Sequence, residues 1–228
     1  MKLIRWSAIA LLVVLMGAWG AAWVLRAPGE GVADSFARNL ARFLGGQDSI
    51  PNAGGLVLPT GVEVGGPFTL TDHTGRAVTD ESYRGKWMLV FFGFTFCPDV
   101  CPTELQVVGE VMDKLGPEAA QVAPIFVTID PERDTPPAMA DYVKLFDDRL
   151  IGLTGTPEQI AAVARAYRVY YAKVTPPGAS TYLMDHSSFL YLMGPDGRFR
   201  TLFRHGASAD DITAAVRQRM QRESGAAG

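Results

Sequence analysis

Trp87-Met-Leu-Val-Phe-Phe-Gly-Phe-Thr-Phe-Cys-Pro-Asp-Val-Cys-Pro102 carries the only two cysteines of a 228-residue chain, Cys97 and Cys101. The opening run, Trp87 to Phe94, is continuously apolar, the pattern of a strand covered on both faces. Pro102 fits a helix only within its first turn, where the missing N–H would have had no partner. Cys101 therefore falls at a helix N-terminus, where the positive end of the helix dipole favours thiolate. Two sulfurs so placed across a strand-to-helix turn can close as a disulfide or grip one soft metal ion. A bridge across so short a loop removes little unfolded-state entropy, so a purely structural disulfide is weakly motivated.

Working outward, Phe68-Thr-Leu-Thr71 alternates and meets the turn Asp72-His-Thr-Gly75, as a hairpin would. After Pro102, Leu105, Val108, Val111, Met112 and Leu115 form a helical stripe that Gly116-Pro117 stops. Val122 to Ile129 reads as a second buried strand and leads into Asp130-Pro-Glu-Arg-Asp-Thr-Pro136. A helix is expected over 138–147, a short strand over Ile151–Thr154, and a helix capped by Thr156, with Pro157 first, running to about Tyr167. Ser188–Met193 and Phe199–Phe203 flank the turn Gly194-Pro-Asp-Gly197. Ser208 caps a final helix reaching about Arg222. Strands alternating with helices, then a hairpin and a helix, predict a layered α/β domain. The cysteine pair after a central strand predicts a thioredoxin-like form of it, a central mixed sheet flanked by helices.

The chain before Pro67 has a different character. Lys2 and Arg5 precede an uncharged stretch from Trp6 to Leu25, which Arg26 ends. About 20 residues at helical rise span roughly 30 Å, the thickness of a bilayer's hydrocarbon core. Positive charge ahead of the span keeps the N-terminus cytoplasmic. A cleaved signal peptide is the rival, with Gly20-Ala21-Ala22 offering small residues for cleavage. The apolar stretch outruns a usual signal core, and Trp19 and Trp23 suit an interfacial belt, so a transmembrane helix over residues 1–26 is expected. Residues 27–66 read as a juxtamembrane segment and linker: Val32, Phe36, Leu40 and Leu44 mark a short amphipathic helix, open to lying on the membrane or packing on the domain, and Gly45 to Gly66 is rich in glycine and proline. Residues 67–228 form the folded domain. A net charge of −3 provides no basic stripe for nucleic acid.

Of three histidines, His73 falls in a turn and His205 just before Gly206, both expected to face solvent. His186 differs. In a thioredoxin-like sheet the loop before the Ser188 strand faces the cysteine loop, so its imidazole can complete a Cys₂His set. Such a set suits Cu(I), a further oxygen ligand would admit Cu(II), and zinc is the chemical competitor. A lone histidine before a strand is more often structural, and spacing alone does not decide between the two. Asp130 is open to orienting the cysteine loop or to capping a turn. Asp185 is a candidate hydrogen-bond partner for His186.

The blocks Trp87–Pro102, Ile129–Pro136 and Asp185-His-Ser-Ser188 together resemble the signatures of the Sco/SenC family. The resemblance covers the chain from Pro67 to the last helix. It implies a thioredoxin-like, membrane-tethered copper chaperone with Cys97, Cys101 and His186 as metal ligands. It further implies as partners the copper-centre subunit of cytochrome c oxidase and other periplasmic copper chaperones. The N-terminus carries no long arginine- and serine-rich transit pattern, so the expected location is a bacterial inner membrane, single-pass, with the C-terminal domain in the periplasm. Thiol–disulfide exchange by Cys97 and Cys101 as a redox pair, keeping the oxidase's ligand cysteines reduced, is the competing function. A peroxiredoxin-type peroxidase is disfavoured because Phe94 stands where that motif needs threonine.

Overall fold

The computed structural model describes residues 63–175, 177–178 and 181–225. The expected membrane anchor and amphipathic stretch lie outside these residues. No helix among those described is long and apolar enough to cross a membrane.

The centre of the domain is the pair of strands β3 (Trp87–Gly93) and β4 (Val122–Thr128), parallel and in register from Trp87↔Val122 to Gly93↔Thr128. Every residue of both strands is buried, as their unbroken apolar sequence requires. Phe91 and Phe126 face each other across the register and stack with centroids 6.2 Å apart. Each of these fully buried rings contributes about 1.5–3 kcal/mol of burial free energy.

Around this pair the sheet extends in the order β2-β1-β5-β4-β3-β8-β9. Strand β5 (Ile151–Thr154) runs parallel to β4, while β1 (Thr69–Asp72) and β2 (Ala77–Thr79) add antiparallel strands beyond it. On the other side β8 (Phe189–Met193) and β9 (Phe199–Arg204) form the hairpin expected around Gly194-Pro-Asp-Gly197. Helix α1 (Val100–Leu115) follows β3, α2 (Pro136–Val143) follows β4, α3 (Pro157–Ala166) follows β5 and α4 (Ala209–Gly225) closes the chain. This is the expected thioredoxin-like arrangement of a mixed sheet with flanking helices.

Local chemistry fixes the element ends. Gly116, with φ of 58°, ends α1 in a conformation that a side chain would strain. Thr156 and Gln159 form a reciprocal capping box on α3, and Ser208 accepts from the Asp211 N–H at the start of α4. Helix α2 differs from its expected bounds, beginning at Pro136 and ending at Val143. Pro136 and Pro137 are compatible with a first turn, so they open the helix instead of preceding it.

Two strands were not expected from the sequence. A ribbon of β6 (Tyr171–Val174) and β7 (Leu183–His186) stands apart from the main sheet. Its residues are mostly half-buried or exposed, which leaves no strong apolar alternation to read. His73 also departs from expectation. It is half-buried, its N–H donates to the Gly152 carbonyl, and its Nδ1 accepts from the Gly152 N–H at 3.1 Å. The imidazole thus extends the β1–β5 ladder beyond the strand end.

The turn between β1 and β2 is built on Asp72, which is buried. Burial alone would raise its pKa, but donors from Thr74 and Arg76 outweigh that and lower it to about 2. A depressed carboxylate stabilises the fold above its unfolded pKa and loses that contribution as pH falls through the folded value. We therefore expect about 2 kcal/mol of stability to vanish between roughly pH 4 and pH 2. Urea unfolding of Asp72→Asn across this range should show a flatter acid limb than the parent chain; parallel limbs would contradict the assignment.

Candidate metal centre

The strand-to-helix turn places the two thiols as the sequence led one to expect. Cys101 is the second residue of α1 and is fully buried, while Cys97 in the preceding loop is half-buried. Both cysteines are free. The Cys101 N–H points at the Cys97 sulfur at 3.4 Å, so the helix start contributes a donor directly to that thiol. Gly93 permits this packing: a Cβ there would lie 2.6 Å from the Cys101 sulfur and 2.9 Å from the Phe126 ring.

His186 is the last residue of β7, paired across the ribbon with Tyr171. Its Nε2 lies 3.6 Å from the Cys101 sulfur. Its Nδ1 sits 3.1 Å from the Ser187 carbonyl, which has no proton to give, so Nδ1–H donates. That bond leaves the Nε2 lone pair facing the sulfurs, the tautomer a metal ligand needs. Phe91 and Phe94 meet the imidazole nearly edge-on, at 6.2 and 6.0 Å, and fix its plane.

The three groups polarise one another. A hydrogen bond from Cys101 holds the Cys97 thiol down to about 3; burial opposes this, and the Asp99 and Cys101 backbone reinforce it. The same bond, with burial, pushes the Cys101 thiol up, so the pair shares one proton at neutral pH. Iodoacetamide labelling of the reduced native chain should reflect this asymmetry. Cys97 should react at pH 5 within about twofold of its rate at pH 7, where an ordinary thiol slows about a hundredfold. Cys101 should remain unlabelled. A Cys97 rate that falls in step with proton concentration would rule out the thiolate.

Residues that the sequence reading passed over support the loop. Asp134, fully buried, accepts from the Thr95 N–H at 3.0 Å, the Thr95 hydroxyl and the Thr128 hydroxyl at 2.6 Å. It thereby ties the loop before Cys97 to the end of β4. Its burial pushes its pKa up, while these bonds pull the other way. Asp130 is buried too, ion-paired to Arg133 and accepting from the Tyr182 hydroxyl at 2.8 Å. Its backbone carbonyl accepts from the Arg133 and Asp134 N–H groups, so the main chain closes the turn and the carboxylate, expected as a candidate cap, binds Arg133 and Tyr182 instead. Asp185 is exposed, because alternation along β7 turns it away from the sulfurs, and the Ser187 carbonyl takes the place proposed for it on His186.

His205 is exposed as expected, yet its Nδ1 lies 2.9 Å from Oε2 of Glu104, a buried carboxylate one turn beyond Cys101. Burial raises the pKa of Glu104 against the influence of His205. A glutamate inside the apolar stripe of α1 was the available sequence signal for this pair.

Among the described residues no three Cys, His, Asp or Glu side chains are already drawn into a closed coordination sphere. Donors bound at about 2.0–2.3 Å to one ion with trigonal or tetrahedral angles lie about 3.5–3.8 Å apart. The 3.6 Å between Cys101 Sγ and His186 Nε2 falls in that range, so these two donors fit one ion, and Cys97 stands beside them, its sulfur 3.4 Å from the Cys101 N–H.

The SCO1/SenC family model matches residues 58–221. The mitochondrial protein SCO1 homolog of Homo sapiens is 46% identical over 160 residues, which cover 69% of this chain and 53% of that protein. This chain thus spans about half the length of that relative. The copper-bound structure of ScoI from Bradyrhizobium japonicum is 48% identical with a TM-score of 0.64, covering 68% of this chain and 98% of that one. BsSco, described by its disulfide switch and as a member of the Sco family of cytochrome c oxidase assembly proteins, is 29% identical with a TM-score of 0.54, covering 72% of this chain and 96% of that one. With a family match over most of its length and relatives of nearly half identical sequence, the chain belongs to the SCO1/SenC family.

Proposed function

We propose that this chain is a copper chaperone that binds copper through Cys97, Cys101 and His186 and assists assembly of the binuclear copper centre of cytochrome c oxidase. The observation that carries the reading is the meeting of two sulfurs and one imidazole nitrogen at the mouth of a strand-to-helix turn. Two soft sulfurs and one borderline nitrogen suit Cu(I) better than a hard ion. Binding releases the proton that Cys101 shares with Cys97. Cargo held by a half-buried Cys97 is open to attack by thiols of a receiving protein, here the copper-centre subunit of the oxidase. Copper-bound ScoI and the oxidase-assembly role ascribed to BsSco's family support the reading.

The uncharged stretch from Trp6 to Leu25 supports a single-pass anchor over residues 1–26, a linker over 27–66 and a domain over 67–228. The charge ahead of it supports a cytoplasmic N-terminus with the domain on the far side, which for a bacterial inner membrane is the periplasm.

A second reading is favoured by the split between a Cys97 thiolate and a protonated Cys101. Cys97 attacks a partner's disulfide, one partner sulfur leaves as thiolate, and Cys101 then resolves the mixed disulfide while the second partner sulfur departs. Both partner sulfurs end reduced, and this chain ends as a disulfide.

His186→Ala separates the two. Anaerobic titration of the reduced full-length chain with Cu(I) should show one tightly held equivalent that weakens in this variant, while reduction of a model disulfide continues. Undiminished copper affinity in His186→Ala, Cys97→Ala and Cys101→Ala alike would remove the copper reading.

A further inference from the structure

The motif Asp130–Pro136 contains an arginine for which the ligand set has no use. Arg133 lies on the turn after β4, and its guanidinium stacks over three rings: Tyr182 at 3.8 Å, Phe96 at 4.6 Å and Phe94 at 5.9 Å. Its Nε is ion-paired with buried Asp130. Its Nη1 donates to the Tyr182 carbonyl at 3.1 Å and approaches the Thr181 hydroxyl at 3.4 Å. Phe96 immediately precedes Cys97, and Tyr182 immediately precedes β7, the strand that ends at His186. One side chain therefore grips the loop of the first sulfur and the ribbon of the imidazole together.

The ribbon needs such a tie. A two-stranded ribbon is marginal by itself, and β6–β7 pairs with no strand of the main sheet. The Tyr170–Ser187 bonds lie within the ribbon and position nothing outside it. Among the described polar contacts, few join the ribbon and its lead-in to the cysteine side of the site. They are the Arg133 bonds, the Tyr182 hydroxyl on Asp130, the Lys173–Glu132 pair at 2.7 Å, and the Cys101–His186 contact itself. The Lys173–Glu132 pair is solvent-exposed on both sides and holds little. Tyr182 is itself stacked against Arg133, so apart from the Cys101–His186 contact and the packing of the imidazole on Phe91 and Phe94 the remaining ties converge on one guanidinium.

We propose that Arg133 is a positioning residue for the metal centre: it clamps the His186 ribbon to the Cys97 loop, and His186 joins the ligand set only while that clamp is closed. The proposal rests on the copper reading for its consequence and on the apo geometry for its cause. Lysine is no substitute, because an ammonium lacks both the planar face that stacks between rings and the fork that reaches Asp130 and Tyr182 together.

The test uses the full-length chain and its Arg133→Gln, Arg133→Lys, His186→Ala and Arg133→Gln/His186→Ala variants. Competition for Cu(I) against a chromophoric chelator reads affinity, and hydrogen exchange of the copper-free chain reads the ribbon. Arg133→Gln should weaken Cu(I) binding about ten- to a hundredfold, as loss of a ligand-orienting group does elsewhere. Arg133→Lys should weaken it nearly as much. In the His186→Ala background the same glutamine should cost less than about threefold, because there is no imidazole left to position. Amide exchange over 183–187 should accelerate about tenfold or more, with β3 and β4 unchanged. Equal losses in both backgrounds would make Arg133 a general support and overturn the clamp. So would ribbon exchange unchanged by Arg133→Gln, even if the parent chain failed to bind Cu(I) and the copper reading fell separately.

Discussion

Cys101→Ala is expected to abolish tight Cu(I) binding and thiol exchange together. On the proposed ligand set the buried sulfur is both a donor to copper and the group that holds the Cys97 pKa down, so removing it takes away one donor and deactivates the other. Four-ligand thiolate and imidazole sites bind their metal with about 10–16 kcal/mol, or roughly 2.5–4 kcal/mol per ligand, which is about two to three decades of affinity. Cys101→Ala should lose at least that much by chelator competition. The pH profile of Cys97 alkylation should move towards that of an ordinary thiol in the same variant. Cys97→Ala should match the affinity loss, and His186→Ala should lose less, because a cuprous ion keeps most of its bonding in the two sulfurs. An affinity within about threefold of the parent's for Cys101→Ala would exclude this sulfur as a ligand.

Gly93→Ala carries the second large effect. Position 93 ends β3 with its carbonyl accepting from the Ile129 N–H, and the missing side chain leaves room for the Cys101 sulfur on one side and Phe126 on the other. A methyl group at 2.6 Å from sulfur and 2.9 Å from an aromatic carbon must displace something. The ring stacks on Phe91 in a filled core, so the sulfur and the helix start are what yield. Overpacking of this kind costs about 1–3 kcal/mol, while the lower unfolded-state entropy of alanine offsets about 0.4–1 kcal/mol. Net destabilisation in urea together with weakened Cu(I) binding is the expected result. An unfolding midpoint at or above the parent's, with copper affinity intact, would show that this contact does not position Cys101.

How far the sequence carried the reading depended on the kind of signal. Strands β3 and β4 were plain because burial on both faces forces continuous apolar runs. Helix α1 was plain because Pro102 and Gly116 bracket a regular stripe. The ribbon β6–β7 was not legible: Tyr171-Ala-Lys-Val and Leu183-Met-Asp-His bury little, and burial is what writes periodicity into a strand. The same holds around the thiols. Cysteine and histidine announce themselves by type, whereas Arg133, Asp134 and Glu104 act through neighbours distant in sequence. Asp134 meets Thr95 across 39 positions, and Glu104 meets His205 across 101. Spacing along the chain is silent about such partners. Asp185 shows the converse error, since adjacency to His186 suggested a bond that strand alternation forbids.

The unequal burial of the two sulfurs sets an order of events. An incoming nucleophile can touch Cys97 but not Cys101, so exchange begins at the outer sulfur and the inner one lets go last. On the proposed copper delivery a receiving thiol would engage Cys97 before Cys101, and a partner caught by mixed disulfide would be found on Cys97 alone. Directionality of transfer is then a property of the strand-to-helix turn itself.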